Sequence, residues 1–270
     1  MLMPAMIEKL GTAVDGLRLA IDRIALHCSG TFNADPEETR VPAPIDLYYW
    51  PTPNGFKISI ALEEMGLPYE VKWIDIGRGD QFDPAFLEIA PNNRMPAIVD
   101  PEGPDGQPIS IFESGAILQY LARKTGKFYG QTERERVEIE QWLFWQMAGV
   151  GPMAGQAHHF LNYAPVSIDY AKERYTNEVN RLYGILNRRL ADRDFVAGFY
   201  SIADMAIWPW AWGWERQNQD IAEFPHMKAW LDRMWERPAV KVGRRLGEEK
   251  RRDLATDKEA QAILFGQRAR

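Results

Sequence analysis

The sequence predicts an α/β domain with element order β-α-β-α-β-β-α, followed by an all-helical domain. Three observations carry this. Between Ile45 and Gly126, short apolar or alternating runs are separated by helical spacings and by Gly/Pro turns. From Thr132 onward the signals are helical alone. The composition shifts between them, from Gly126 to Gln131. The expected organisation is an N-terminal extension over 1–44, the α/β domain over 45–128, the helical domain over 132–249 and a charged tail over 250–270.

Each element has its own signature. Residues 45–50 form a short apolar strand, and Pro51 to Gly55 reads as a turn. Phe56 to Met65 has helical spacing and stops at Gly66, a residue suited to the left-handed conformation that ends helices. Tyr69, Val71 and Trp73 alternate with Glu70 and Lys72, as a half-buried strand does. Asp83 before Pro84 caps a short helix through Ile89. A strand after Pro96, a turn from Pro101 to Gly106, a strand over 108–112 and a helix over 113–125 complete the domain. The strands separated by helices are expected to run parallel, and the last two to pair as an antiparallel hairpin.

The helical part opens with the capping box Thr132-x-x-Glu135, which starts a long helix reaching roughly Phe160. A second helix runs from about Ile168 to Leu190, with Tyr175, Val179, Leu182, Leu186 and Leu190 on one stripe. A second box, Ser201-x-x-Asp204, opens a helix expected to carry Trp208, Trp210, Trp212 and Trp214 and to bend at Pro209. Pro225 and Pro238 each begin another helix. In the extension, Ile7, Leu10, Val14, Leu17, Ile21, Ile24 and Cys28 form a heptad-like stripe on one helix, and Ser29 to Pro44 reads as a linker.

The whole-chain balance excludes several classes of function. Net charge is −6, where nucleic-acid binders are basic. No apolar run reaches the ~20 residues needed to span a bilayer. No basic region precedes an apolar core at the N-terminus, so a cytoplasmic protein is expected. The single cysteine, Cys28, allows no internal disulfide and no Cys-x-x-Cys pair. Any thiol chemistry must therefore borrow its sulfur. No metal-ligand spacing is present, and the adjacent His158 and His159 diverge by about 100° on a helix, so they read as helix-face contacts.

The stretch from Asn92 to Leu121 has the character of a binding site. Pro96 stands ahead of an apolar strand, and Met95-Pro96 is a natural place for a cis peptide. A cis bond there exposes the Met95 backbone to an extended peptide. Glu113 and Ser114 lie where a strand feeds a helix, and helix N-termini attract anions. Together they look like two halves of a pocket for a small acidic peptide.

Several segments are specific enough to carry a family resemblance. Tyr49-Trp50-Pro51-Thr52-Pro53-Asn54-Gly55, Pro91 to Asp100, Phe112-Glu113-Ser114-Gly115-Ala116-Ile117-Leu118, Gln141 to Gln146 and Tyr200-Ser201-Ile202-Ala203-Asp204 resemble the bacterial Nu-class glutathione transferases, which are related to the yeast Ure2 type. The resemblance covers about residues 45–245 and implies a thioredoxin-like domain followed by a helical glutathione transferase domain.

The resemblance also implies roles. Thiol-redox relatives carry a cysteine at the first helix's N-terminus, where this chain has Thr52-Pro53-Asn54. A hydroxyl and an amide are no nucleophiles, yet they can donate hydrogen bonds to a bound thiolate and lower its pKa. Read alone, Thr52 and Asn54 also suit helix capping; in the resembled class the matching Thr and Asn lie beside the glutathione sulfur, so the resemblance implies the catalytic role for them. Met95 would pair through its backbone with the cysteinyl unit, and Glu113 and Ser114 would hold the γ-glutamyl end. Gln81 and Arg174 would contact the peptide and a carboxylate. Arg94 replaces the commoner lysine of the family's Asn-Asn-Lys segment.

The expected activity is glutathione-dependent disulfide reduction by a homodimer, with glutathione or its disulfide as cosubstrate, no metal, and a small disulfide as partner. An aromatic ether or thioether electrophile is the alternative partner, in a lyase or conjugation reaction. A non-catalytic glutathione-binding regulator is the alternative of another class. Most of the ten tryptophans are expected in the core, and some could line an apolar second pocket.

Overall fold

The computed structural model describes residues 42–251 and 256–268. The predicted N-terminal helix and most of its linker lie outside the described residues. Strand β1 (Ile45–Tyr49) leads into helix α1 (Pro53–Met65), and strand β2 (Tyr69–Trp73) follows. Helix α2 (Pro84–Ile89) precedes β3 (Ala97–Asp100) and β4 (Ile109–Phe112), and α3 (Ser114–Thr125) closes this part. The four strands form one sheet in the order β2-β1-β3-β4. The pairing β1–β2 is parallel, whereas β1–β3 and β3–β4 are antiparallel.

Two expectations are corrected here. Strand β3 does not run parallel to β1, although a helix stands before it. Helix α2 has six residues and rises about 9 Å, too little to carry the chain back along a strand. The preceding segment is also held at one end of the sheet, with the Asp75 carbonyl accepting from Arg78, Gly79 and Asp80. The first helix begins at Pro53 rather than Phe56, because the Thr52 hydroxyl accepts from the Gly55 N–H and caps it. The presumed turn is therefore the first turn of α1.

The helical part contains α4 (Glu133–Trp145), α5 (Gly151–His158), α6 (Asp169–Arg189), α7 (Ile202–Ala211), α8 (Pro225–Trp235) and α9 (Pro238–Arg245). Both capping boxes form as expected. The long helix expected to reach Phe160 is instead interrupted by wide π turns at Gln146–Val150 and His159–Tyr163. Such turns insert extra residues and re-aim side chains. Helix α7 ends two residues past Pro209, so Trp212 is its cap and Trp214 belongs to a separate 3₁₀ turn. The tail is also not merely charged surface. Helix α10 (Lys258–Phe265) sets the Phe265 ring 4.6 Å from His159 and 5.9 Å from Tyr163.

Helix α1 lies at the centre, with every residue from Gly55 to Leu62 buried. One continuous core takes in Leu47, Ile58, Leu62, Leu118, Leu143, Leu182, Met205 and Trp230. Charged groups fasten the helical part to α1. Arg237 makes a two-pronged pair with Glu64, at 2.6 and 2.8 Å, and Tyr200 donates to the same carboxylate. Ser59 donates to the Gly243 carbonyl at 2.7 Å. Asp204 is buried and accepts from Val196 N, Ser201 N and Trp230 Nε1, which fixes the start of α7. Trp208 and Trp230 are fully buried, as expected of core tryptophans.

The contact of α9 with α1 depends on a missing side chain. A Cβ built on Gly243 would stand 2.6 Å from Ile60 N and 2.8 Å from Ile60 Cα. Both are backbone atoms that cannot rotate away. Gly243→Ala is therefore expected to push α9 off α1 and to destabilise the protein by roughly 1–3 kcal/mol. Denaturant unfolding checks this, and wild-type stability in the variant would contradict it.

Candidate functional site

The site is built around the first turn of α1. Three adjoining cavities lie there, each of about 260–270 Å³. The innermost is lined by Asn54, Asn92, Arg94, Met95, Glu113, Ser114 and Met147. The middle one shares Asn54, Arg94 and Met95 with it and adds Thr52, Gln81, His158, Tyr163 and Trp210. The outer one shares Thr52, His158 and Tyr163 with the middle and adds Trp50, Phe56, Trp212, Arg216, Arg244 and Arg251. Thr52 and Asn54 thus stand where the cavities meet.

Hydrogen bonding settles what each of these two groups can offer. Trp210 Nε1 can only donate, and it lies 2.9 Å from Asn54 Oδ1. The Asn54 amide is therefore turned so that its oxygen is used and its NH₂ remains a donor at the cavity. The Thr52 hydroxyl accepts from Gly55 N at 3.2 Å. Among the described residues its own hydrogen has the Met95 sulfur as acceptor, at 3.6 Å, a weak one. Both groups are arranged as donors, and the N-terminal end of α1 adds its partial positive charge.

The remaining predicted residues divide. Met95 precedes a cis proline, and its side chain is 9% exposed against Thr52. Glu113 has φ +68°, a conformation L residues rarely adopt, and it sits at the mouth of α3 beside Asn92. Strain of this sort costs about 1–3 kcal/mol and concentrates where geometry serves a ligand. Ser114 is the first residue of α3 and is buried. Gln81 is buried, donates to the Ile76 carbonyl at 3.2 Å, and leaves its Oε1 without a partner among the described residues. Arg174 is not brought to the group. It is exposed on α6, pairs with Glu178 at 3.6 Å, and lines none of the three cavities.

The structure adds residues that sequence reasoning passed over. Lys57 is 1% exposed, and its ammonium donates to Ser114 Oγ at 3.2 Å and Gln146 Oε1 at 2.7 Å. A lysine flanked by Phe56 and Ile58 in a helix with no polar face was the signal available. Burial lowers its pKa to about 7, opposed by the nearby Glu113 carboxylate. His158, expected to be a simple helix-face contact, borders two of the cavities with its Nε2 buried and without a protein partner. The π turns after Trp145 and His158 decide which side chains face the site, and periodicity cannot place them. Among the described residues, no group of three or more His, Cys, Asp or Glu could hold a metal. No helix among them is long and apolar enough to cross a membrane.

Comparison with known proteins agrees with this geometry. The glutathione S-transferase N-terminal domain model matches residues 43–123, and the C-terminal domain model matches residues 157–238. The disulfide-bond oxidoreductase YfcG of Escherichia coli (strain K12) is 54% identical over 198 residues, covering 73% of this chain and 92% of the relative. The disulfide-bond oxidoreductase YghU of the same organism is 43% identical over 215 residues, covering 74% of each. A crystal structure of a glutathione transferase from Pseudomonas putida, with one glutathione disulfide bound per subunit, is 44% identical with a TM-score of 0.73. It covers 75% of this chain and 91% of that one.

The electrostatics of His158 give a direct check. Burial lowers its pKa to about 4, and the Arg216 charge acts in the same direction, while a hydrogen bond with the Gly213 backbone opposes them. The imidazole is thus neutral at the cavity wall through the physiological range. An NMR titration is expected to show His158 unchanged between about pH 5.5 and 8, and a midpoint near its ordinary value of about 6.5 would contradict this.

Proposed function

The chain belongs to the glutathione S-transferase family, and on that premise we propose that it reduces disulfides with glutathione by activating the ligand's own thiol. The observation that carries the reading is the pair of donors at the cavity junction. Asn54 is held by Trp210 through its oxygen, leaving its NH₂ as a donor, and Thr52 is held by Gly55 N, with its O–H on nothing stronger than the Met95 sulfur. Two such donors and a helix N-terminus favour the thiolate over the thiol, which lowers the thiol's pKa.

In this reading glutathione lies along the inner and middle cavities. Its γ-glutamyl end takes the inner one, where Ser114 offers its hydroxyl and the α3 N-terminus to the α-carboxylate. Glu113 offers its carboxylate to the α-amine. The Met95 backbone pairs with the cysteinyl unit, and the sulfur stands at Thr52 and Asn54. Gln81 meets the peptide farther along. Arg174 would have to reach a ligand carboxylate from an exposed position, and its pairing with Glu178 argues against that role in this chain. Residues 45–128 serve as the glutathione-binding domain and 132–249 as the helical domain.

The outer cavity receives the disulfide. The glutathione thiolate attacks one of its sulfurs, a mixed disulfide forms, and the other sulfur departs as a thiolate. A second glutathione thiolate then attacks the mixed disulfide, giving glutathione disulfide and the second reduced thiol. Electrons pass from two glutathione thiols to the disulfide, and no protein cysteine takes part. That relatives named as disulfide-bond oxidoreductases match over most of their length supports this reaction, as does a similar transferase that holds glutathione disulfide. A second reading, attack on an aromatic ether or thioether, is favoured by one feature, the Trp50, Phe56, Tyr163 and Trp212 rings around the outer cavity. The working unit is taken as a homodimer, which the exposed Val137 and Phe144, seven residues apart on α4, support as an apolar surface.

Removing either donor should cost a charge-assisted hydrogen bond, about 1.5–3 kcal/mol. Thr52→Ala and Asn54→Ala are each expected to lower kcat/KM for hydroxyethyl disulfide reduction by about 10- to 100-fold. The glutathione Kd is expected to stay within about threefold, since recognition rests on other residues. Glutathione binding by the wild type without turnover of disulfides or aryl substrates would refute the catalytic reading and leave a binding protein.

A further inference from the structure

The cluster behind the inner cavity has a property of its own. A serine hydroxyl carries one donor and two acceptor sites, whereas a lysine ammonium can only donate. With Lys57 charged and 3.2 Å from Ser114 Oγ, the Ser114 oxygen must accept, and its hydrogen must point elsewhere. Among the described residues the acceptor in reach is the Met147 sulfur at 3.7 Å, which is weak. The hydrogen is therefore available to a ligand oxygen in the cavity that Ser114 lines. An uncharged Lys57 would carry a lone pair of its own, toward which the Ser114 hydrogen can turn. The charge on one buried nitrogen thus sets whether Ser114 donates to the ligand.

We propose that Lys57 is the positioning residue for the ligand's α-carboxylate, fixing Ser114 as a donor and supplying buried positive charge, so that carboxylate recognition requires the protonated amine. This rests on the placement of glutathione given above. Among the described residues Lys57 has no carboxylate ion-pair partner, although it is buried and near the cavity. The charged group that bears on it is Glu113, at the mouth of α3. The Gln146–Val150 turn brings Gln146 and Met147, both uncharged. On α7 the acid is Asp204, committed to Val196, Ser201 and Trp230. On α9, Arg244 stands over the Phe56 ring. An incoming carboxylate therefore meets an ammonium that, among the described residues, has Glu113 alone set against its charge.

The pH behaviour follows from the sign. Burial lowers the pKa of Lys57 to about 7 in the free protein. An adjacent carboxylate favours the ammonium and raises that pKa in the complex. Below about pH 6 the group is charged in both states, and affinity is independent of its titration. Between the two pKa values, binding takes up a proton and weakens by up to about tenfold per pH unit.

The test uses the full chain and S-methylglutathione, which has no thiol to titrate. The control ligand is its 4-aminobutyryl analogue, which lacks only the α-carboxylate. Titration calorimetry at pH 8, in two buffers of different ionisation enthalpy, is expected to show uptake approaching one proton with S-methylglutathione and none with the analogue. From pH 6.5 to 8.5 the S-methylglutathione Kd should rise by about tenfold or more, with the analogue flat. In Lys57→Met both the rise and the uptake should vanish. S-methylglutathione binding with no proton uptake, where the analogue binds more weakly, would overturn the role of Lys57 and leave the placement of glutathione intact. Equal affinity for both ligands at pH 6.5 would overturn the placement itself, and the role of Lys57 with it. The wild-type calorimetry decides between these even where Lys57→Met fails to fold.

Discussion

The first turn of helix α1 must serve two masters, the core and the cavities, and the site depends on how that conflict is met. From Gly55 to Leu62 every residue is buried, so the helix has no solvent face on which to place a polar side chain. Yet its N-terminus is where backbone N–H groups and their partial charge are available. The polar groups that sit there are each held by a specific partner: Thr52 by Gly55 N, Asn54 by Trp210, and Lys57 by Ser114 and Gln146. Buried polar groups persist only when so paired. The pairing that satisfies them also fixes which atom each presents to the cavity.

The helical part is consequently more than a covering layer. Trp210 on α7 orients Asn54, and the turn after Trp145 delivers Gln146 and Met147 to Lys57. Arg237 with Glu64 and Ser59 with Gly243 bind α9 to α1, and Tyr200, just ahead of α7, donates to the same Glu64 carboxylate. A shift of about 1 Å between the parts would break the Trp210–Asn54 bond, and hydrogen-bond strength falls steeply with such a displacement. Helix α10 completes the surround by placing Leu264 in the middle cavity.

Much of this was legible in the sequence, for identifiable reasons. The element order, both capping boxes and the cis bond before Pro96 rest on local signals, namely turns, caps and proline. Met95, Glu113 and Ser114 group by proline and helix-end signals, whereas Thr52 and Asn54 join them only through the family resemblance. What escaped was set by long-range geometry. The direction of β3 depends on the reach of a connection, and the facing of His158 depends on the wide turn at Gln146–Val150, which shifts the helical phase ahead of it. The buried amine of Lys57 is met by Ser114 and Gln146, 57 and 89 residues downstream, so its local sequence gave only a weak hint. Arg174 was placed by resemblance alone, and it lies exposed on α6 beside Glu178.

The central claim is that the protein activates a thiol it does not own. The most direct measurement is the ionisation of glutathione in the complex, followed by thiolate absorbance near 240 nm across pH. A free thiol of this kind titrates at about 8.5. The account predicts a bound midpoint at least about one unit lower, returning toward the free value in the Thr52→Ala/Asn54→Ala double variant. A bound thiol that titrates where free glutathione does, in the wild type, would contradict it.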